Sequence, residues 1–455
     1  MKRVFRIVIS VLTTLVMCLT FAACTESATT PETPTKDEFL GLREGQEFVT
    51  DKEIKLSFLR PTGNSAQENW WKVTISAFNE KYKGRIAVSE TTLTRGNSNE
   101  YEQQISLRAA EGSLPDILYF DGPYVSNYAY ADIIVPLDNY ITEQYISDFL
   151  PQVIDQGTYN DRLYALSIVD SAVVLAYNKK LMADAGITIP SSISEAWTWQ
   201  QVKTIAESLT TILPSGKTRY GLNIVGDQGE WMSYAFYPMW TKGTMDSTGK
   251  VSSGYLDGAE GVSAARFLQS LTIKAVNKNG TVGDFTNSEC LAVMWLCGTQ
   301  EISTFELLPE FKDNYGITYY PRNNEGSYGT PCGGWTMGMT SCCSVDKRVA
   351  AAEFIKYMTS VENVETFAQQ TYSPPARKSV LDIIDIYNLN SNYMAIKEQV
   401  LNAAKLRVKT IGYAEYTPQM SEALNDIIGN SSIDAASRLT LAAQTIDNKI
   451  KKLKY

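Results

Sequence analysis

The sequence predicts an α/β chain of two lobes followed by a helical C-terminal region. Near the N-terminus, strand-like alternation gives way to helix-like periodicity and back again, twice over, and this β-α-β pattern implies a mainly parallel sheet covered on both faces. A second α/β stretch opens at Val173, and from about residue 378 the pattern is helical only. The 455 residues leave room for two to three domains at the usual ~100–200 residues each. With 44% apolar and 20% charged residues, 26 Tyr and 8 Trp, most of the chain has a globular composition.

In order along the chain, Lys2, Arg3 and Arg6 precede an apolar run from Ile7 to Phe21, then Ala22-Ala23-Cys24. A basic start, a short apolar stretch and small residues form an export signal, shorter than the ~20 residues of a spanning helix. The Ala-Ala-Cys step resembles a bacterial lipobox, which implies residues 1–23 as a lipoprotein signal and Cys24 as the lipidated mature N-terminus. Phe21 departs from the usual Leu of that motif. A plain signal peptide with an incidental cysteine is the alternative. Residues 24–50, rich in Ser, Thr, Pro and Glu at their start, read as an extended tether.

In KEIKLSF, Ile54, Leu56 and Phe58 alternate with polar residues as in a strand. Trp71, Ile75, Phe78 and Tyr82 then form one helical stripe, and IAVSE after Gly84 reads as the next strand. Tyr101, Ile105 and Ala109 mark a helix closed by Gly112, ahead of the strand DILYF. Val173–Tyr177 is an apolar strand running into a helix that stops at Gly186. Thr198 and Gln201 make a capping box for a helix burying Val202, Ile205 and Leu209. Thr417-Pro418 reads as an N-cap with proline at the first helical position, Gly429 as a stop, and Leu439, Ala443, Ile446, Ile450 and Leu453 as the apolar face of a last helix.

Four segments in this order, LPDILYFDGPYVSNYAYADIIVPLDNYI, DRLYALSIVDSAVVLAYNKKLMADAGI, CGGWTMGMTSCCSVDKRVAAAEFIKYMTS and YSPPARKSV, resemble the family 1 extracellular solute-binding proteins. These are the sugar-capturing lipoproteins of ABC importers, related to maltose-binding protein, and the likeness covers essentially the whole mature chain. It implies a two-lobed periplasmic-binding-protein-like fold with crossover hinge strands and C-terminal helices, closing on a ligand between the lobes. Carried over, residues 52–168 and 333–371 form lobe 1, and residues 173–328 and 378–455 form lobe 2. Crossovers fall near 169–172, 329–332 and 372–377, the last consistent with Pro374-Pro375, which suits neither helix nor central strand. The partners implied are a carbohydrate, the permease subunits of an ABC transporter, and the membrane through the lipid anchor, at the extracytoplasmic face of a bacterial cell. The chain is expected to act as a monomer, with no cofactor, metal or catalytic residue.

Sugars are held by flat aromatic faces against C–H surfaces and by planar polar groups against paired hydroxyls. Phe120, Asp121 and Tyr124 follow the strand DILYF, at a carboxyl end where ligands of such sheets bind, although Asp-Gly-Pro is also good turn chemistry. Gln67, Glu68 and Asn69 start the first helix, where helix-end polarity would explain them equally well. Trp231 and Trp240 sit in an aromatic-rich stretch from which one of the two is expected to face the cleft. The resemblance places Asp170 in the first crossover as a ligand carboxylate, or a hinge cap. It sets Gln300 where relatives often have Trp of Gly-Pro-Trp, and Arg377 near the cleft, or in a hinge salt bridge. Gly333 and Gly334 let backbone approach a ligand or bend at the hinge, and Trp335 beside them is a stacking platform, or a core residue for which the glycines make room.

A net charge of −9 with 41 scattered basic residues argues against nucleic acid. No histidine is present, which excludes Ser-His-Asp and Cys-His catalysis and strips zinc of its imidazole ligands. A surface glycan hydrolase pairing Asp121 with Asp170 is the main alternative, and a glycan sensor or adhesin on the same fold is another. Cys290, Cys297, Cys332, Cys342 and Cys343 lack zinc-site spacing and are an odd number, so small buried thiols are the simplest expectation.

Overall fold

The computed structural model describes residues 38–96, 100–225, 230–271, 274–323 and 328–453. The export signal, Cys24 and most of the tether lie outside the described residues. Where the tether is described it already joins the globule: Leu40 N–H donates to Asn139 O at 2.7 Å and Phe48 is buried.

Strands follow in the order β1 (Ile54–Pro61), β2 (Ile86–Leu93), β3 (Ile117–Asp121), β4 (Ile134–Val135), β5 (Ala165–Ser167), β6 (Val173–Asn178), β7 (Thr218–Val225), β8 (Val276–Gly280), β9 (Ala292–Gly298), β10 (Tyr315–Thr318), β11 (Thr330–Cys332), β12 (Trp335–Thr340) and β13 (Ala404–Leu406). One sheet runs β2-β1-β3-β12-β4, with β5 also on β12; the other runs β8-β7-β9-β6-β10. In the first, β1, β2 and β3 are parallel, and β12 is antiparallel to β3, β4 and β5. In the second, β7, β8 and β9 are parallel, and β6 is antiparallel to β9 and β10. The sheets are therefore mixed where a mainly parallel arrangement was expected. Each antiparallel partner, β12 and β6, arrives by a crossover from the other lobe and not over a helix, so the βαβ handedness rule does not set its direction.

Helix α1 (Ser65–Lys81) opens with a capping box, Asn64 and Gln67 each accepting the other's backbone N–H at 3.0 Å. Its stripe of Trp71, Ile75 and Phe78 is buried, each side chain stabilising the fold by ~1.5–3 kcal/mol. Trp70 is buried as well, its Nε1 donating to Thr366 Oγ1 at 3.1 Å. Helix α2 (Glu100–Ala110) stops before Gly112, which sits at φ +64°. The Thr198–Gln201 box caps α3 (Trp199–Leu209), burying Val202 fully and Ile205 and Leu209 partly. Helix α4 (Glu230–Phe236) follows β7 and carries Trp231.

Three connecting segments lie side by side between the sheets: Val169 bridges Pro375, and Ala172 bridges Cys332. Gly333, at φ +121° where a side chain is strained, donates its N–H to Ser171 O at 3.0 Å. Two features depart from an all-helical C-terminal region with a cap at Thr417. Strand β13 pairs in parallel with β11. Helix α5 (Tyr413–Ile427) begins a turn before Thr417, so Pro418 lies inside it. Burial of Tyr413 and Tyr416, with the Tyr413 hydroxyl donating to Glu230, secures that earlier turn and outweighs the proline's missing donor. The chain closes with α6 (Ala435–Ile450), which buries Leu439, Ala443, Ile446 and Ile450 as the spacing predicts.

Candidate functional site

A cavity of about 290 Å³ lies between the two sheets. Its walls come from the carboxyl ends of the parallel strands: Pro61, Thr62 and Gly63 at the end of β1, Arg95 after β2, Asp121 ending β3, Glu230 and Trp231 after β7, and Gln300 after β9. The crossovers supply Val169, Ser171, Gly333 and Ser373, and Trp335 enters from the start of β12, in register with Asp121. Trp71, Tyr119, Tyr234 and Phe367 add aromatic surface.

An ion network closes one wall and spans the lobes. Arg407, which follows β13, holds Asp121 bidentately, Nη2 to Oδ1 at 2.7 Å and Nη1 to Oδ2 at 3.0 Å, and also binds Glu230 Oε1. Arg95 Nη2 reaches Glu230 Oε2 at 3.0 Å and Asp121 Oδ2 at 3.5 Å. Burial pushes the Asp121 carboxyl upward, but the Arg407 charge and bonds, with Arg95, outweigh it and leave Asp121 below its ordinary range. Glu230 moves the other way, raised by burial and by the Asp121 carboxylate against the pull of both guanidiniums. Glu102 stands behind Arg95, its pKa raised by burial.

Of the residues expected at a ligand site, the cavity gathers Gln67, Asp121, Trp231, Gln300, Gly333 and Trp335. The Trp335 ring is shared: the Arg95 guanidinium lies 4.9 Å from its centroid, and Tyr101 and Tyr119 pack at 5.7 Å. Trp231 meets one described ring, Tyr234 at 5.8 Å, and its buried Nε1 has no partner among the described residues.

The others stand elsewhere. Glu68 accepts both Arg60 Nη groups, at 2.7 and 2.9 Å, and the Gly63 N–H at 2.6 Å, and so braces the loop that lines the cavity. Asn69 faces solvent. Phe120 and Tyr124 are core residues against Tyr128, because the strand's inward alternation and the turn after it aim them away from the cleft. Trp240 is fully buried with Nε1 donating to Leu256 O at 3.2 Å. Gly334 O accepts from Gln156 Nε2 at 2.9 Å and Gly122 N at 3.1 Å, while a Cβ on Gly334 would meet Val169 O at 2.5 Å. Arg377 is buried in a hinge lock, Nε donating to Thr359 O at 2.7 Å and Nη1 pairing with Asp148 at 3.2 Å. Asp170 is fully buried, accepting the Gly333 N–H at 3.0 Å and the Gln152 amide at 2.7 Å. It does not line the cavity, so Asp121 and Asp170 do not face each other across it.

All five described cysteines are free, four of them buried and Cys342 exposed. Among the described residues no cluster could hold a metal ion, and no helix is long and apolar enough to cross a membrane.

The profile of bacterial extracellular solute-binding proteins matches residues 74–393. The chain belongs to this family. Among relatives of this solute-binding protein, a binding protein of Brucella abortus is 22% identical over 356 residues, covering 77% of this chain and 83% of its own. The maltose/maltodextrin-binding domain of Bdellovibrio bacteriovorus, solved with maltotriose, superposes with TM-score 0.72 at 18% identity over 88% of this chain and all (100%) of that one. An ABC transporter solute-binding protein of Thermotoga lettingae bound with α-D-tagatose gives TM-score 0.72 at 18% identity, over 87% and 99%. The structural likenesses establish the two-lobed fold, and membership of an extracellular solute-binding family gives an extracytoplasmic setting.

Arg95, Glu230 and Arg407, which carry most of the charge of the cavity wall, are not legible in the sequence as site residues. Arg95 does follow a strand's carboxyl end, a usable signal. Arg407 depends on a three-residue strand too short to read.

Proposed function

We propose that this protein captures a carbohydrate in the cleft between its lobes and delivers it to an ABC importer, held at the extracytoplasmic face of the cell membrane by a lipid on Cys24, with no chemistry of its own. The observation that carries this reading is the lining of the cavity. It combines the indole surfaces of Trp71, Trp231 and Trp335 with the amides of Gln67 and Gln300 and the hydroxyls of Ser171 and Ser373, the mixture that a polyol with apolar C–H faces requires. The ligands held by the structural relatives, maltotriose in one and α-D-tagatose in the other, support the same class. The volume of about 290 Å³ sits at the lower edge of the ~300–1,000 Å³ of small-molecule sites and suits a short saccharide.

A hydrolase would need two carboxylates spaced about a glycosidic bond. Asp121 and Glu230 are instead both held by one guanidinium, Arg407, which favours holding over turnover. Thermal denaturation across a panel of mono- and oligosaccharides tests the reading. A ligand at ~100 times its dissociation constant stabilises the native state by about 2.7 kcal/mol. A panel that shifts no melting temperature removes the carbohydrate assignment, and product formation during incubation removes the binding-only one.

A further inference from the structure

We propose that Arg95 determines the ligand class of the cleft: its guanidinium fills a cation site built into the wall, so the cleft takes neutral saccharides and turns away those carrying an ammonium group. The choice of saccharide probes rests on the function proposed above; the cation site does not. Four groups build the site around one guanidinium. The Trp335 ring lies 4.9 Å from Arg95 Cζ, Glu230 Oε2 3.0 Å and Asp121 Oδ2 3.5 Å from Nη2, and Glu102 Oε1 3.9 Å from Nε.

Three carboxyl groups, each with a side chain no more than 6% exposed, surround two guanidiniums, and burial raises Glu230 and Glu102 while the Arg95 charge pulls both back toward their ionised forms. Arg407 is committed to Asp121 and Glu230 and is covered by Tyr234, 4.8 Å from its Cζ. Arg95 is the second cation. Glu102 is 4% exposed and neither of its oxygens has a hydrogen-bond partner among the described residues, so Arg95 is the positive charge that serves it. A carboxylate left buried without a counter-charge is costly.

Arg95 comes from the loop after β2, lines the cavity, and has a side chain that is 40% exposed. An incoming ammonium finds its best seat taken and meets a like charge in a desolvated wall. A hydroxyl finds both donors and acceptors. Removing the guanidinium would bare the face of Trp335 and leave three buried carboxyl groups to one arginine, a vacancy shaped for an ammonium or a small guanidinium.

The experiment compares wild type, Arg95→Ala and Arg95→Lys in two readouts. The first is the melting temperature in methylguanidinium chloride against sodium chloride at equal ionic strength, which needs no sugar. Methylguanidinium should stabilise Arg95→Ala selectively and leave wild type and Arg95→Lys unmoved. The second is affinity for cellobiose against the β-1,4 glucosamine disaccharide, where wild type should favour the neutral sugar. Arg95→Ala should shift that ratio toward the amino sugar by roughly tenfold, the worth of one cation–π contact in a partly desolvated site. If Arg95→Ala lacks a cooperative transition, Arg95→Ser, which also leaves the face of Trp335 bare, takes its place. Equal responses of wild type and variant to methylguanidinium, or a wild-type preference for the amino sugar, would overturn the proposal. Rescue by methylguanidinium with no saccharide bound by any form would leave the cation site standing and remove the carbohydrate reading.

Discussion

Asp170 links the hinge to pH. It is fully buried in the first crossover, with Oδ1 accepting the Gly333 N–H at 3.0 Å and Oδ2 the Gln152 amide at 2.7 Å. Burial raises its pKa from 3.8 to about 7, although both hydrogen bonds favour the charged form. A carboxyl whose folded-state pKa lies above its unfolded value contributes stability that is complete below the unfolded pKa and is lost as pH rises through the folded one. Here the loss begins near pH 4 and ends just above pH 7, and about three pKa units correspond to about 4 kcal/mol. Asp170→Asn removes the titration. It keeps an acceptor for Gly333 but turns an NH₂ toward the Gln152 amide, at a cost of about 1 kcal/mol for the lost bond. Asp170→Asn should therefore match wild type near about pH 4.5 and exceed its stability by about 3 kcal/mol at pH 8. Urea denaturation of both proteins across pH 4.5–8, read as the difference between them, isolates Asp170 from every other titrating group. A difference that stays constant with pH, or a variant less stable at pH 8, would refute the reasoning.

Arg407→Ala strands the Asp121 carboxylate in a buried wall and should cost roughly 3–5 kcal/mol in urea melts at pH 7; a loss below ~1 kcal/mol contradicts the network as drawn. Trp231→Ala should weaken saccharide binding by tenfold or more, about 1.4 kcal/mol, with little change in melting temperature. Trp335→Ala should lower stability as well, by about 2–3 kcal/mol, because its ring packs on Tyr101, Tyr119 and Arg95. Equal melting temperatures for the two variants would show that Trp335 has no structural share. Arg377→Ala should destabilise the hinge without altering affinity in the folded fraction, since its partners are Thr359, Asp148 and the Phe149 ring at 4.0 Å; calorimetry on refolded protein checks this.

How far the sequence reaches depends on whether the signal is local. The alternation of Ile54, Leu56 and Phe58, the stripe from Trp71 to Phe78 and the Thr198–Gln201 box all arise within a few residues, and each is found where its spacing places it. Asp121 was legible for the same reason, standing at the carboxyl end of a strand. Phe120, Tyr124 and Trp240 show the limit, because an aromatic side chain serves a core as well as a cleft and only the tertiary packing decides. Thr417-Pro418 has the chemistry of a helix start, yet burial of Tyr413 one turn earlier sets the real one. The Arg95–Asp121–Glu230–Arg407 network joins residues more than a hundred positions apart from both lobes, and no local pattern announces it. Of the segment CGGWTMGMTSCC, the sulfurs form no bridge, while Gly333 and Trp335 line the cavity.

Isothermal titration of the saccharide that most raises the melting temperature, run against wild type and Trp231→Ala, is the most direct test of a carbohydrate cleft between the lobes. One saturable site per chain in wild type, lost or weakened by tenfold or more in a variant that still melts cooperatively, about 1.4 kcal/mol, is the predicted result. Undiminished affinity in Trp231→Ala would place the ligand elsewhere and contradict the account.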